Sequence, residues 1–231
     1  KPTRIGQAKF SLKGYFSEEA KERRQRQLDH DLKHSSFYEF KSFNNTKGKI
    51  FLPPVSYFKK DKSRYFPDLA AKTLSNNTHA LSDILRNKVT ILRIFSTISG
   101  ERCANTYVEK YLSEDGYAEF QTKYPRSQIV DLNIPQTWAK GWFAGLLKGN
   151  LRKNIASARH DGYYLIPHGL FDVDTKKILK CDNTCSGYLY VLDSENHIRW
   201  ATSGNATEQE LEILWKSVRG LELELAANES L

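Results

Sequence analysis

The chain has 231 residues, of which 39% are hydrophobic and 12% aromatic, and this composition excludes a wholly disordered protein because it supplies enough apolar material for a core. No run free of Asp, Glu, Lys and Arg exceeds 10 residues, which excludes a membrane-spanning helix, since such a helix needs about 20 mostly apolar residues. The net charge of +8 is unevenly distributed, with +9 in residues 1–66 and −1 in the remainder.

The basic residues 1–66 are predicted to form an N-terminal arm and linker. The chain lacks methionine, so we expect that its initiating end has been removed, either by a targeting peptidase or because the chain is a defined piece of a longer protein. Residues 17–33 predict a helix with Ser17 as N-cap and almost no apolar stripe. Such a helix either stays in solvent or binds phosphates of lipid or RNA through a cluster of cations, Arg23, Arg24 and Arg26.

Residues 51–69 are rich in aromatic residues, lysine and proline, which predicts an extended linker that packs on the following domain. Its anchors are expected to be Tyr57, Phe58, Tyr65 and Phe66. A short helix is predicted near residues 78–86, with Asn77 or Thr78 as its N-cap.

From Val89 onward the hydrophobic pattern alternates between strand and helix. Apolar and β-branched runs predict two strands, a short strand or packed loop, and a hairpin, at residues 89–96, 128–134, 163–167 and 187–202. Helices are predicted at residues 101–114, after Pro135, and from a capping box of Thr207 and Glu210 to about Gly220.

This order requires one parallel βαβ unit joined to an antiparallel pair of strands. It is the minimal layout of an α/β thioredoxin-like fold, β-α-β-α-β-β-α, here with a basic N-terminal extension. We therefore place the thioredoxin-like domain at residues 67–231.

The three cysteines are too few, and odd in number, for a disulfide scaffold. A redox-active thioredoxin starts its first helix with CxxC, and residues 100–103 (GERC) fill only the second cysteine position. Residues 185–187 (CSG) stand where such enzymes place a cis-proline. A dithiol oxidoreductase is therefore disfavoured, while Cys103 is either a lone reactive thiol or a small buried hydrophobe.

The sequence contains one candidate metal site and none of the common catalytic motifs. Cys181 and Cys185 could bind a metal together with a histidine, but no second tight pair accompanies them. The chain lacks GxSxG, HExxH, P-loop and dinucleotide motifs. We expect no catalytic site, metal ion, cofactor, small-molecule substrate or DNA partner. We also expect no intramolecular disulfide, and Cys103 at or near the N-terminus of its helix.

Arg93 is the one charge within an otherwise apolar predicted strand. In a central strand with helices on both faces, its guanidinium would be buried and would need a partner. Asp131 lies in the middle of the second strand, and a right-handed crossover makes the two strands neighbours. We therefore predict a structural ion pair between Arg93 and Asp131, with exposure of Arg93 at a strand edge as the alternative.

Aromatic residues in two places are candidates for partner binding. Trp138, Trp142 and Phe143 recur at helical spacing, and two tryptophans four residues apart exceed what one layer of a small sheet commonly needs. Trp200, beside Arg199 in the hairpin, is likewise either a core residue or part of a binding surface.

Three segments resemble the mitochondrial ATP synthase assembly factors that act on the membrane sector: VTILRIFSTISGERCANTY (89–107), PQTWAKGWF (135–143) and GYLYVLDSENHIRWATSGNAT (187–207). The similarity covers about residues 50–220, and the hairpin is its most specific part. The resemblance implies a thioredoxin-related fold without established catalytic residues, a presequence removed on import, and peripheral attachment to the matrix face of the mitochondrial inner membrane. It also implies a chaperone-like association with newly made ATP synthase subunit a, also called subunit 6.

The basic arm is then expected to hold the protein against anionic lipid headgroups, at about 1 kcal/mol per well-placed Lys or Arg. Two other classes stay open. A thioredoxin- or peroxiredoxin-like thiol enzyme would lose activity on Cys103→Ser, and a basic RNA- or ribosome-binding protein would depend on residues 1–66 and on salt.

Overall fold

Seven strands form one mixed sheet in the computed structural model. The structure describes residues 21–22, 25–26, 36–135, 142–167 and 169–229, except for the side chains of residues 36–37 and 142–147. The strands are β1 (Ala70–Thr73), β2 (Thr78–Ala80), β3 (Val89–Phe95), β4 (Ser127–Asn133), β5 (Tyr163–Leu165), β6 (Tyr188–Leu192) and β7 (Ile198–Ser203). Their spatial order is β2-β1-β5-β4-β3-β6-β7.

Helices cover both faces of this sheet. They are α1 (Ser36–Thr46), α2 (Leu81–Leu85), α3 (Ile98–Asn105), α4 (Glu114–Lys123), α5 (Trp142–Asn154), α6 (Val173–Leu179) and α7 (Glu208–Glu229), with 3-10 turns at Lys60–Lys62, Glu109–Tyr111 and Ser157–Gly162. None of the helices among the described residues is both long and apolar enough to cross a bilayer.

The centre of the sheet has the predicted topology. β3 pairs in parallel with β4 and antiparallel with β6, and β6 forms the predicted hairpin with β7. β5 is parallel to β4, whereas β1 and β2 add an antiparallel pair beyond it that the sequence did not predict. These two strands are only four and three residues long, and Ala and Lys in β1 have low strand propensity.

The strand β3 is buried along its whole length because helices pack on both faces of the sheet. Side chains alternate, so Leu92 and Ile94 enter one core cluster, whereas Val89 and Ile91 enter the other. The second cluster also contains Leu214 and other apolar residues of α7. The final helix therefore closes one face of the sheet.

The prediction of a single helix over residues 101–114 is wrong, because two separate helices overlap this range. The first ends at Asn105, and Ser113 then starts a new helix as N-cap by accepting a hydrogen bond from the backbone N–H of Gly116 at 3.1 Å. At residues 78–86, a strand precedes the short helix, which begins at Leu81.

The last helix begins as predicted and ends later than predicted. The backbone N–H of Thr207 donates to the Glu210 carboxylate at 2.9 Å, and the Glu210 N–H donates to the Thr207 hydroxyl at 3.2 Å, so the capping box is confirmed. The helix passes through Gly220 to Glu229. A Cβ at Gly220 would lie 2.9 Å from the ring of Tyr57, so the glycine there makes room for the linker.

The linker packs on the domain along the edge strand β7, as predicted. The backbone N–H of Phe58 donates to the carbonyl of Arg199 at 2.7 Å, and the N–H of Phe66 donates to the carbonyl of Asn196 at 2.8 Å. Phe66 is buried in the core, the half-exposed Tyr65 packs its ring on that of His197 with 4.1 Å between centroids, and the exposed Phe58 is held through its backbone. The division of the chain at residue 66 stays a prediction.

Candidate functional site

The start of α3 is the position at which a redox-active thioredoxin would carry its thiols. Thr97 caps this helix by accepting a hydrogen bond from the N–H of Gly100 at 3.2 Å. The Thr97 hydroxyl donates to the carbonyl of Thr184 at 2.9 Å, and the Ser99 hydroxyl donates to that of Cys185 at 2.8 Å. The first turn of the helix is thus fastened to the loop that precedes β6.

The two backbones touch where α3 meets that loop. A Cβ at Gly187 would lie 2.0 Å from the carbonyl oxygen of Gly100, so a side chain at Gly187 would collide with the helix. Among the described residues, no peptide bond is cis. The junction is held by backbone contact and by the hydroxyls of Thr97 and Ser99.

Cys103 lies six residues into α3 rather than at its N-terminus, so that expectation is wrong. The helix starts at Ile98, three residues earlier than predicted, because Thr97 supplies the cap. Cys103 is buried, and this burial raises the pKa of its thiol. No helix N-terminus therefore activates this thiol, and the interpretation as a small buried hydrophobe fits it better.

The thiols of the other two cysteines are not activated either, because their pKa values are raised. Burial raises the pKa of Cys181 to about 12 and raises that of Cys185 as well. All three thiols are free, which agrees with the prediction that no intramolecular disulfide joins them. In the part of the chain that the structure describes, no group of three or more His, Cys, Asp or Glu residues could hold a metal ion.

Residues 36–50 cover the loop beside Cys103. The Glu39 carboxylate accepts hydrogen bonds from the N–H of Thr184, at 3.0 Å, and from its hydroxyl. The Ser186 hydroxyl donates to the carbonyl of Gly48 at 2.6 Å. A Cβ at Gly48 would lie 3.4 Å from the Cys103 sulfur, so the covering segment passes beside the thiol.

Lys49 fastens the same segment to α7. Its Nζ lies 2.6 Å from both carboxylate oxygens of Glu210 and 2.8 Å from the hydroxyl of Tyr107. Burial lowers the pKa of Lys49, although Glu210 opposes that shift, and burial raises the pKa of Tyr107. Glu210 thus completes the capping box and also pairs with the covering segment, a second role that its position in the sequence did not reveal.

A buried charge cluster lies beneath α3 at the centre of the sheet. The ion pair predicted between Arg93 and Asp131 is present, with Nε to Oδ1 at 2.5 Å, and the two residues are paired in register between β3 and β4. Arg159 binds the second oxygen of Asp131, and Asn105 accepts from Arg93. Burial raises the pKa of Glu101 nearby, while the positive charge of Arg93 opposes this shift.

Sequence reasoning missed Arg159. This residue is buried in a 3-10 turn 28 positions after Asp131, and nothing in the local pattern marks it. Its Nε is buried without a hydrogen-bond partner among the residues described. The cluster is a structural element of the core, since Arg93, Asp131 and Arg159 are all buried.

The prediction that Arg199 and Trp200 lie on a binding surface is wrong, because both are buried. Arg199 donates to Asp193 at 3.0 Å and to Glu224 at 2.9 Å. Trp200 has no exposed surface, and its indole N–H donates to the carbonyl of Pro54 at 3.0 Å. The linker covers the face of β7 on which these two residues lie.

The structure describes the other predicted binding residues only in part. Trp138 is outside the described residues, and Trp142 and Phe143 lie on α5 with side chains outside it. Arg23 and Arg24 are also outside the described residues. Arg26 is exposed and lies 3.4 Å from Asp174 of α6.

Comparison with known proteins identifies the family. Residues 3–221 match the family model described as ATP10 protein. The chain is 34% identical over 221 residues to the Mitochondrial ATPase complex subunit ATP10 of Eremothecium gossypii, covering 94% of this chain and 79% of that protein. It is 31% identical over 222 residues to the protein of the same name from Saccharomyces cerevisiae, covering 91% and 78%.

Solved structures are similar to the chain at low sequence identity. BsSco, a member of the Sco family of cytochrome c oxidase assembly proteins, superimposes with a TM-score of 0.51 at 9% identity, covering 71% of this chain and 96% of that one. A putative thiol:disulfide interchange protein DsbE from Chlorobium tepidum gives a TM-score of 0.48 at 16% identity, covering 71% and 99%. The predicted thioredoxin-like fold is confirmed, and by the match over residues 3–221 the chain belongs to the ATP10 protein family.

Proposed function

We propose that the protein is an assembly factor for the membrane sector of the mitochondrial ATP synthase, and that it binds newly made subunit a, subunit 6, at the inner membrane. The single observation that carries this proposal is the family match over residues 3–221, because relatives in that family are named mitochondrial ATPase complex subunits. The proposed location is peripheral, on the matrix face.

The proposed role is protection of an unassembled subunit. A proton-channel subunit carries polar and charged groups within its membrane helices, and these groups lack partners until the neighbouring subunits arrive. A protein that covers them prevents nonproductive association and proteolysis. Such a role requires a binding surface and no catalytic group.

The thiol site supports a binding role over thiol chemistry. Cys103 is buried, burial raises its pKa, and residues 36–50 cover it through Glu39 and Gly48. A nucleophilic thiol needs access and a lowered pKa.

The candidate contacts with the subunit are Trp138, Trp142 and Phe143, and those with anionic lipid are Arg23, Arg24 and Arg26.

Affinity purification after pulse-labelling of mitochondrial translation products tests the proposal. We expect labelled subunit a to be recovered with the tagged protein. Trp142→Ala combined with Phe143→Ala should reduce recovery, whereas Leu223→Ala, at an exposed apolar residue of α7, serves as the matched control. Failure to recover the subunit with the wild-type protein would contradict the proposal.

Two further measurements separate the other classes. Cys103→Ser should leave the amount of assembled enzyme unchanged, and a loss would favour thiol chemistry. Recovery of labelled RNA with a steep loss of affinity on raising salt would favour an RNA- or ribosome-binding protein.

A further inference from the structure

Two cations of α5 meet the turn between β1 and β2. Lys148 donates through Nζ to the carbonyl of Thr73 at 2.8 Å and to the side-chain oxygen of Asn76. Arg152 lies one helical turn later and donates through Nε to the carbonyl of Leu74 at 2.6 Å. Since Thr73 and Leu74 are consecutive, the two positive groups lie side by side at the end of the β1 strand.

A third cation, Lys72, lies on the same face of the sheet. Lys72 of β1 is paired directly with Leu165 of β5, and residues opposite each other on neighbouring strands lie on the same face of the sheet. Leu165 and Leu151 of α5 pack against the same buried cluster, which places Lys72 on the α5 side. Burial lowers the pKa of Lys148, and the positive charges of Arg152 and Lys72 lower it further.

Among the described residues, no carboxylate forms an ion pair with any of these three cations. Their hydrogen-bond acceptors are backbone carbonyls and one amide oxygen. Several cations elsewhere are paired with carboxylates, namely Arg26, Lys49, Lys60, Arg93, Lys110, Arg126, Arg159 and Arg199. The group on α5 and β1 is therefore a concentration of positive charge without a carboxylate partner among the described residues.

We propose that Lys72, Lys148 and Arg152 form a binding site for a phosphate group. The Nε of Arg152 is occupied by Leu74, which leaves its two terminal nitrogens to donate as a fork to two phosphate oxygens. Lys148 keeps one ammonium proton and Lys72 keeps three, and each acts as a point charge on the remaining oxygens. A phosphate carries one or two negative charges over several acceptors, so it matches three cations better than a single carboxylate does.

The phosphate can come from an anionic lipid headgroup or from free phosphate in solution, and two measurements on the purified full chain distinguish these sources. The first is titration with inorganic phosphate, followed by calorimetry and by the amide signals of residues 73–77. The second is co-sedimentation with vesicles of phosphatidylglycerol and phosphatidylcholine, compared with vesicles of phosphatidylcholine alone. The site stands apart from the proposed assembly function, because neither measurement involves an ATP synthase subunit.

Lys72→Gln is the informative variant because the exposed side chain of Lys72 makes no hydrogen bond to any described residue, so its replacement should leave the fold intact. Lys216→Gln is the matched control, since it removes one exposed charge from α7 and keeps the N-terminal arm unchanged. We expect Lys72→Gln to weaken phosphate binding about fivefold relative to that control, and Arg152→Gln to weaken it further. A thermal melt of each variant checks the fold.

The Lys72→Gln variant distinguishes the two sources of phosphate. Loss of binding by Lys72→Gln in both measurements identifies a lipid headgroup, and loss in the phosphate titration alone identifies a free phosphate ligand. Equal binding by Lys72→Gln and Lys216→Gln in both measurements would overturn the site. Absence of phosphate and vesicle binding by the wild-type chain would overturn it as well.

Discussion

Nε of Arg93 lies 2.5 Å from Oδ1 of Asp131, and both side chains are almost completely buried between the sheet and its helices. The second oxygen of Asp131 binds Arg159, so one carboxylate pairs with two guanidinium groups. Charges removed from water are tolerated only when they are paired and hydrogen-bonded. Asp131 is therefore the residue on which the charge balance of this core depends.

Asp131→Asn should destabilise the protein by about 3–5 kcal/mol, because it leaves Arg93 and Arg159 buried together without a carboxylate. Urea unfolding measures this change in the free energy of unfolding. Glu119→Gln is the control, since it breaks an exposed pair with Lys110 and should cost less than about 1 kcal/mol. Equal losses for the two variants would show that the buried cluster does not stabilise the core.

Cys103 should react slowly with iodoacetamide at pH 8. Burial raises its pKa, so the thiolate fraction at this pH is smaller than that of an ordinary cysteine, and residues 36–50 block access. Cys185 is only partly buried and should react about tenfold faster or more. A time course by mass spectrometry gives both rates, and equal rates in urea provide the control. A fast reaction of Cys103 in the folded protein would reopen thiol chemistry.

Glu210→Ala should destabilise the protein more than Thr207→Ala. Loss of the Thr207 hydroxyl removes one cap bond, at about 1 kcal/mol. Loss of the Glu210 carboxylate also leaves Lys49 without its partner, at about 2–4 kcal/mol in total. Thermal and urea unfolding test the order, with exposed Glu208→Ala as control. Equal effects of Thr207→Ala and Glu210→Ala would mean that the Lys49 contact contributes nothing.

Two N-terminal deletions should differ sharply. Deleting residues 1–34 should leave the melting temperature nearly unchanged and weaken membrane association, because this segment is basic and has little apolar periodicity. Deleting residues 1–50 also removes Glu39, Gly48 and Lys49, so we expect a clear fall in melting temperature. Salt extraction from membranes measures the first effect and thermal melts the second. Similar melting temperatures for the two truncated chains would contradict the covering role of residues 36–50.

Local patterns in the sequence determined the central strands, the hairpin and the start of the last helix. A capping box depends on residues three apart, so Thr207 and Glu210 were sufficient to locate it. The Arg93 to Asp131 pair followed from alternation along two strands and from the handedness of a parallel crossover. These features are short-range or depend on a general rule of chain topology.

The tertiary structure alone decided whether each ambiguous residue is buried or exposed to solvent. Trp200 is in the core, where its indole N–H donates a hydrogen bond to the carbonyl of Pro54, 146 positions away. Arg159 completes the charge cluster from a turn with no periodic signal, and Glu39 reaches Thr184 across 145 positions. Such contacts depend on how distant segments pack. Secondary-structure propensity and hydrophobic periodicity report only on neighbours along the chain, so they do not carry that information.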